Sequence, residues 1–241
     1  MALARRTRQL GSAVRWLGGL SGERLAGNVV VLSPHLDDGV FSLGAAIAAA
    51  EPGSDVAVVT VLAGDPGSDE PAGDWDARAG FETAGESARA RRAEDELACR
   101  DVGARPVWLP FRDHQYDRGG SDDQVWAAVE EAIGGAETVL VPGFPLIHED
   151  HAWLARLVDA HGLPGRRVGR YVEQPYAAAW TVEPQENGWT VLKAGGTHRL
   201  SKARAYRRYE SQLPLLERKK RIRFRLERYE AARGGEWARW T

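Results

Sequence analysis

The stretch Asn28-Val29-Val30-Val31-Leu32-Ser33 decides the fold class of this chain. Short, continuous, β-branched runs of this kind are typical of strands that are buried on both faces of a parallel sheet. A second such run follows at 55–62, and a helical pattern lies between the two at 39–50. The chain therefore has the strand–helix–strand order that builds parallel sheets.

The same alternation continues along the chain. Further helical and strand patterns are found at 86–102, 105–111, 124–133, 138–141 and after Asp150, with weaker strands at 170–173 and 189–193. This order predicts an α/β fold, a Rossmann-like three-layer sandwich with a mostly parallel sheet. We expect a single domain over 1–241, with an N-terminal helical extension at 1–27 and C-terminal helices at 199–241.

Composition and charge exclude several classes of protein. The 241 residues are 43% hydrophobic and 27% charged, with a net charge of −2, which is typical of globular proteins and indicates no nucleic-acid partner. Cys99 is the only cysteine, so an intrachain disulfide and a cysteine-rich zinc site are excluded. No run approaches ~18 apolar residues, and no apolar segment follows the N-terminal arginines. We therefore expect a cytoplasmic protein without stable membrane insertion.

Nucleotide cofactors are not indicated either. The glycine-rich fingerprint of dinucleotide-binding folds and the glycine-rich loop that binds phosphates are both missing.

Polar residues come directly after the first strand, in Pro34-His35-Leu36-Asp37-Asp38-Gly39. Ligands of open parallel sheets bind at this carboxyl edge. His35 and Asp38 are three residues apart, so in a helical turn they face the same way, and imidazole with carboxylate is a common pair of zinc ligands. Asp37 would then stay free. The alternative is that Asp37 or Asp38 only caps the following helix.

A second polar cluster, His148-Glu149-Asp150-His151, follows another buried strand and also precedes a helix. Alone, it is explained by a polar loop in which Asp150 caps the helix. Together the two clusters supply His35, Asp38 and one further histidine, which are three protein ligands with an open fourth position. That arrangement is typical of a catalytic zinc rather than a structural one, although iron and manganese accept similar ligands.

These paired motifs resemble the PIG-L/LmbE-like zinc-dependent N-deacetylases, which remove acetyl or acyl groups from the amine of glucosamine-type sugars. The similarity spans residues 28 to 212 and includes Arg91-Arg92-Ala93-Glu94, 109–113, Glu173-Gln174-Pro175-Tyr176, Lys202 and Tyr209-Glu210-Ser211-Gln212. The resemblance implies one PIG-L/LmbE-like domain. It also implies a zinc-dependent hydrolase that removes an N-acetyl or N-acyl group from a small amino-sugar conjugate, such as an N-acetylglucosaminyl compound.

The resemblance further implies individual roles. His35, Asp38 and His151 would be the zinc ligands, Asp37 the general base, and His148 the residue that stabilises the oxyanion or protonates the leaving amine. Contacts to the sugar hydroxyls would come from Arg91 and Asp113. The family's second motif usually has proline where this chain has Glu149. His114 is not assigned by the pattern.

Two other functional classes compete with a deacetylase. One is a non-catalytic α/β module that binds a metal or a sugar. The other is binding of anionic lipid or nucleic acid through the C-terminal segment, because residues 201–230 hold 11 basic and four acidic residues, a net charge of +7. The same segment has an apolar face, which favours docking on the body of the protein.

The long segment at 63–84 predicts a loop that shapes substrate choice. Trp75 within it either stacks on a sugar or packs as part of a lid. The sequence specifies neither the sugar nor the group attached to it, and a homo-oligomer stays open.

Overall fold

The computed structural model describes residues 22–67, 69–183, 188–220, 222–233 and 235–241. Its helices and strands are, in chain order, β1 (Asn28–Ser33), α1 (Asp38–Ala48), β2 (Asp55–Thr60), α2 (Asp74–Ala79), α3 (Ala84–Val102), β3 (Arg105–Trp108), α4 (Asp122–Ile133), β4 (Thr138–Phe144), α5 (Glu149–His161), β5 (Arg167–Val172), α6 (Tyr176–Trp180), β6 (Trp189–Leu192), α7 (Gly196–Tyr206), α8 (Leu213–Lys220), α9 (Ile222–Arg233) and β7 (Glu236–Trp240).

The strands form one sheet in the order β3-β2-β1-β4-β5-β7-β6. β1 pairs in parallel with β2 and β4, and the outer pairs β2–β3 and β4–β5 are also parallel. Only β7 runs against its neighbours, β5 and β6. The prediction of an α/β fold with a mostly parallel sheet is confirmed.

The strand order contains a topological switch point. From β1 the sheet extends through β2 to β3, and it then resumes with β4 on the other side of β1. Connections on the two sides therefore leave in opposite directions, which opens a crevice at the carboxyl ends of β1 and β4. Both predicted polar clusters begin at these two strand ends.

Helices cover both faces of the sheet. This arrangement explains why every residue of β1 from Val29 to Leu32 is apolar. Val29 and Val31 belong to the core that packs against α1, α3 and α7. Val30 and Leu32 belong to the core that packs against α4 and α5. Since successive side chains of a strand point to opposite faces, a strand between two helical layers needs apolar residues at every position.

The predicted C-terminal helices are only partly observed. α7, α8 and α9 are helical, but Glu236–Trp240 is strand β7, which lies between β5 and β6. The prediction of helix to the end of the chain is therefore wrong for these five residues. Their pairing partners lie far away along the chain, so local composition carries no signal of the strand.

The predicted N-terminal helical extension falls mostly on residues 1–21, which lie outside the described residues. Residues 22–27 are described and contain no helix. Instead, the Glu23 amide donates to the Val191 carbonyl, and the Lys193 amide donates to the Glu23 carbonyl. This short segment is therefore extended because it runs alongside β6.

Candidate active site

The site lies at the switch point, where two turns bring their polar residues together. His35 lies in the turn after β1, and Asp38 is the first residue of α1. The Ser33 hydroxyl holds this turn, because it donates to the His35 carbonyl at 2.7 Å and accepts from the Gly39 amide at 2.9 Å. On the other side of the crevice, His148 is the N-cap of α5, and His151 lies in the helix's first turn.

Three of the predicted residues meet at one point. His35 Nδ1 and His151 Nε2 each lie 3.0 Å from Asp38 Oδ2, and the two ring nitrogens are 3.2 Å apart. Tetrahedral zinc with ligand bonds of about 2.0–2.1 Å requires ligand atoms about 3.3 Å apart. The three atoms therefore have close to the spacing that zinc needs, and all three residues are buried.

The buried charges of this cluster support one another. Burial disfavours the charged form of His35, but its hydrogen bonds to Asp150 and Asp38 outweigh that effect and raise its pKa to about 10. His151 behaves similarly, since attraction to Asp38 overcomes burial and raises the pKa to about 9. Burial also opposes charge on Asp38, yet attraction to His151 and His35 lowers its pKa below its ordinary value. In the metal-free protein the histidines thus hold protons where a cation would lie.

Asp37 interacts electrostatically with Asp38 and His35 but is not one of the three residues whose ligand atoms meet. It is the N-cap residue of α1, yet its side chain makes no capping hydrogen bond. Its backbone has φ of 139°, a region that residues other than glycine rarely adopt. Burial and then the charge of Asp38 raise the pKa of this carboxyl well above its usual value. A capping role for Asp37 therefore does not explain its position.

His148 is held in one tautomer by the helix that it caps. Its Nδ1 accepts from the Asp150 amide at 3.3 Å, so the neutral ring carries its proton on Nε2. Burial, followed by the charges of His35 and His151, lowers the pKa of His148 to about 4. At neutral pH this residue is thus an uncharged N–H donor.

The helix cap predicted for Asp150 is wrong. His148 caps α5, and the buried Asp150 carboxylate faces the site instead. Its Oδ2 lies 3.0 Å from His35 Nε2 and 2.8 Å from His114 Nδ1, while Oδ1 accepts from Arg118 at 3.1 Å. Asp150 therefore orients His35 from the side opposite Asp38.

Glu173 supports the second histidine in the same way. Its Oε1 lies 2.5 Å from His151 Nδ1, and its Oε2 accepts from the Leu146 amide at 2.8 Å. Carboxylates behind ligating histidines fix their tautomer and orientation. The resemblance to the family includes Glu173 but gives it no role. The available signal was an acidic residue at the carboxyl end of another strand, β5.

Arg91 and Asp113, the predicted sugar-binding residues, line one cavity beside the site. Leu36, Ser87 and Asp76 also line it. Arg91 Nε and the Ser87 hydroxyl are buried and have no hydrogen-bond partner among the described residues. A polar ligand group in this cavity would satisfy both atoms.

The remaining residues that the sequence singled out have structural surroundings. His161 stacks on Trp126 with ring centroids 4.7 Å apart, His198 Nδ1 accepts from the Gly195 amide, and Cys99 is buried in the core. Trp75 donates to Gln212 at 2.7 Å and has the Arg78 guanidinium 5.0 Å from its ring centroid. These contacts favour the lid-packing alternative for Trp75.

Comparison with known proteins identifies the family. The model of the PIG-L family, described as GlcNAc-PI de-N-acetylase, matches residues 30–161. The chain belongs to the PIG-L family. The matched residues include both polar clusters of the switch point. No curated protein matches the sequence.

Solved structures of similar fold include two deacetylases and a hydratase. The A40926 pseudoaglycone deacetylase Dbv21 superposes with a TM-score of 0.73 at 25% identity, covering 88% of this chain and 96% of that one. The N,N'-diacetylchitobiose deacetylase of Pyrococcus horikoshii gives 0.58 at 19% identity, covering 89% and 82%. The 4-carboxy-2-hydroxymuconate hydratase GalB of Pseudomonas putida KT2440 gives 0.63 at 19% identity, covering 89% and 95%. This PIG-L protein thus shares its fold with enzymes of more than one reaction class.

Among the described residues of this PIG-L chain, no helix combines the length and the apolar character needed to cross a membrane.

Proposed function

We propose that this PIG-L protein is a zinc-dependent hydrolase that removes an N-acetyl or other N-acyl group from an amino-sugar conjugate, such as an N-acetylglucosaminyl compound. The observation that carries the proposal is the meeting of His35, Asp38 and His151 ligand atoms within about 3 Å of one another, beside the uncommitted carboxylate of Asp37. This donor set fits zinc with an open fourth position, as in catalytic rather than structural sites.

The protein residues account for each proton in amide hydrolysis. His35, Asp38 and His151 would hold a zinc ion, which would supply the Lewis acidity that polarises an amide carbonyl and acidifies a neighbouring water. Asp37 accepts the proton of the attacking water, and burial makes it a stronger base than a solvated carboxylate. His148 donates its Nε2 proton as a hydrogen bond to the oxyanion of the tetrahedral intermediate. As the C–N bond breaks, Asp37 returns its proton to the leaving amine.

This scheme gives the two catalytic residues different tasks. The neutral His148 offers one N–H, which the oxyanion uses, whereas Asp37 holds a proton only after it has acted as base. Asp37 is thus the source of the proton for the amine. Arg91 and Asp113 hold hydroxyl groups of the sugar in the cavity that they line.

A non-catalytic binding module is the weaker alternative. Asp37 has a backbone conformation that costs free energy and forms no cap with its side chain. A module that only binds metal through His35, Asp38 and His151 would gain nothing from that conformation.

Binding of lipid or nucleic acid through the C-terminal segment is also less well supported. Arg204 and Arg208 pair with Asp101, Lys202 pairs with buried glutamates, and Arg225 donates to the Ala179 carbonyl. These four basic groups thus already have partners within the protein, and Lys202 among them is buried. Liposome flotation and filter binding at physiological salt test this alternative, and retention in either assay would support it.

The test of the proposal is release of acetate by protein that has been stripped of metal and then titrated with zinc. The substrates are N-acetylglucosaminides linked to nucleotides, lipids and peptides. We expect no release without metal and full activity with one equivalent of zinc. Zinc binding without release from any member of the panel would favour the non-catalytic module.

A further inference from the structure

Ser87 is a buried polar residue to which the proposed mechanism gives no task. It lies near the N-terminal end of α3 and is 1% exposed. A serine within a helix usually faces solvent or donates to the carbonyl four residues earlier. The Ser87 hydroxyl does neither, because it is buried and has no hydrogen-bond partner among the described residues. Since buried polar groups in native proteins are nearly always paired, this hydroxyl indicates a partner that is not part of the chain.

Arg91 presents a second free polar atom on the same side of the helix. Residues four apart are neighbours on one face of a helix, and both Ser87 and Arg91 line the cavity beside the catalytic site. Nη1 of Arg91 lies 3.5 Å from Asp76, whereas its buried Nε has no hydrogen-bond partner in the part of the chain that the structure describes. One wall of the cavity therefore offers two polar atoms to a single bound group.

We propose that Ser87 is a specificity-determining residue, whose hydroxyl recognises one hydroxyl group of the sugar together with Nε of Arg91. The resemblance to the family assigns Arg91 to the sugar but gives Ser87 no role. This proposal rests on the proposed function, because it concerns the sugar part of the amino-sugar conjugate.

The donors and charges of the cavity select a hydroxyl over other polar groups. The guanidinium of Arg91 only donates, so the bound atom must accept a hydrogen bond, which excludes an ammonium group. An anion also accepts, but the carboxyl groups of Asp76 and Asp113 line the same cavity and disfavour it. The other cation of the lining, Arg112, already pairs with Glu70. A sugar hydroxyl accepts from the guanidinium and can either donate to the serine hydroxyl or accept from it.

The cavity adjoins the proposed catalytic groups. Leu36, which directly precedes Asp37, lines it, and so does Asp113, which directly precedes His114. Arg91 also interacts electrostatically with Asp37. A sugar that is held here by a hydroxyl group is therefore anchored next to the reacting centre, and loss of the anchor should lower kcat/KM.

The stability of Ser87→Ala tests whether the hydroxyl is free. Removal of an unpaired hydroxyl breaks no hydrogen bond within the protein, and alanine is a better helix former than serine. In urea unfolding without ligand, Ser87→Ala should therefore be at least as stable as the wild type. A lower unfolding midpoint would show that the hydroxyl has a structural partner, and it would overturn the proposal.

Substrates that lack single hydroxyl groups test the recognition itself. Zinc-loaded protein is assayed for acetate release from an N-acetylglucosaminide and from its 3-, 4- and 6-deoxy analogues. For the wild type, kcat/KM should fall at least about tenfold for one analogue, because its loss leaves both polar atoms of the cavity unpaired. In Ser87→Ala, the preference for the parent compound over that analogue should shrink about five- to tenfold, while the other two ratios stay unchanged.

Ser54→Ala is the matched control for these ratios. Ser54 directly precedes β2, at the edge of the sheet opposite the carboxyl ends of the strands, so this variant should keep all the wild-type ratios. Identical ratios in the wild type and Ser87→Ala would overturn the proposal.

A binding measurement separates failure of this proposal from failure of the proposed function. If no glycoside releases acetate, the proposed function is wrong. Calorimetry of zinc-loaded protein with methyl β-D-glucosaminide and its deoxy analogues, which carry no acyl group to remove, then decides the role of Ser87. Binding that depends on one hydroxyl in the wild type and loses this dependence in Ser87→Ala would support the proposal. Absence of binding, or binding that Ser87→Ala leaves unchanged for every analogue, would overturn it.

Discussion

Asp37 combines the least favourable backbone of the site with its most important proposed task. Its φ of 139° and ψ of −38° lie outside the regions that residues with a Cβ atom favour. Such conformations cost of order 1–3 kcal/mol and persist where the surroundings enforce them. Here the turn between β1 and α1 brings His35 and Asp38 to one point, and Asp37, which directly precedes Asp38, carries the strain.

Replacement of Asp37 separates stability from activity. Asp37→Gly and Asp37→Ala should both abolish acetate release, since neither offers a base. Asp37→Gly should be more stable than Asp37→Ala by about 1 kcal/mol, because relief of strain exceeds the added entropy of the unfolded chain. Urea unfolding of both variants measures the difference. Equal stability would show that the conformation stores no strain.

The protonation state of His148 is a second prediction for a single residue. Burial and the nearby charges of His35 and His151 lower its pKa to about 4 in the metal-free protein, so the ring should stay neutral as pH falls from 8 to about 5. The ring proton signals of His148, assigned by comparison with His148→Gln, report this by NMR. A titration midpoint well above the ordinary histidine value would mean that the ring is charged at neutral pH, which would rule out a neutral donor.

At the scale of elements, α2 belongs to the segment 63–84, which we call the lid. Hydrogen bonds and an ion pair hold the lid against the site. The buried Asp76 lies 3.5 Å from Arg91 and accepts from the Tyr116 hydroxyl at 2.7 Å. The same hydroxyl accepts from the Gly73 amide at 2.8 Å, so Tyr116 holds the start of α2 at two points. Three of these residues, Asp76, Arg91 and Tyr116, also line the cavity proposed for the sugar.

Removal of the Tyr116 hydroxyl should loosen this lid. Tyr116→Phe loses two hydrogen bonds, each worth about 1 kcal/mol, and limited proteolysis should cut faster within 64–83. Tyr229→Phe is the control, because its hydroxyl bonds the Val182 carbonyl in another part of the structure. Unchanged cleavage in Tyr116→Phe would mean that other contacts hold the lid.

At the scale of the whole molecule, a buried ionic cluster joins the C-terminal part to the sheet. Lys202 of α7 pairs with Glu230 of α9 and lies 2.6 Å from Glu236 of β7. Glu236 also accepts from the Ala45 and Ala46 amides of α1. The Lys202 side chain therefore connects α7 and α9 to β7. Through Glu236, β7 in turn contacts α1, the helix that begins at the proposed metal ligand Asp38.

Lys202→Met should destabilise the protein, because it removes the cation that pairs with two buried carboxylates. Loss of one partner of a buried ionic group costs about 3–5 kcal/mol. Burial raises the pKa of Glu230, so protonation relieves the variant as pH falls. Urea unfolding should thus show a smaller difference from wild type at pH 5 than at pH 7. A difference that is independent of pH would contradict this account.

The sequence predicts the location of the site well because the fold fixes it. The strand order places the carboxyl ends of β1 and β4 side by side at the switch point. The residues that follow the two strands therefore lie close together. His35, Asp38 and His151 were therefore predictable as neighbours.

Contacts between distant segments were not predictable in the same way. Asp150 looks like a helix cap locally and is instead the partner of His35 and His114. Glu173 reaches His151 only because β5 lies beside β4, and β7 is a strand only because β5 and β6 leave a place between them. These features depend on pairing between remote residues, which local patterns do not encode.

The central claim is that His35, Asp38 and His151 hold a zinc ion that serves a reaction for which Asp37 is the base. Zinc content and acetate release, measured together on the same preparations of wild type, Asp37→Ala and His35→Ala, test it most directly. We predict one zinc and activity in the wild type, one zinc with nearly complete loss of activity in Asp37→Ala, and loss of both in His35→Ala. An Asp37→Ala protein that releases acetate at the wild-type rate, or a His35→Ala protein that retains its zinc, would contradict the account.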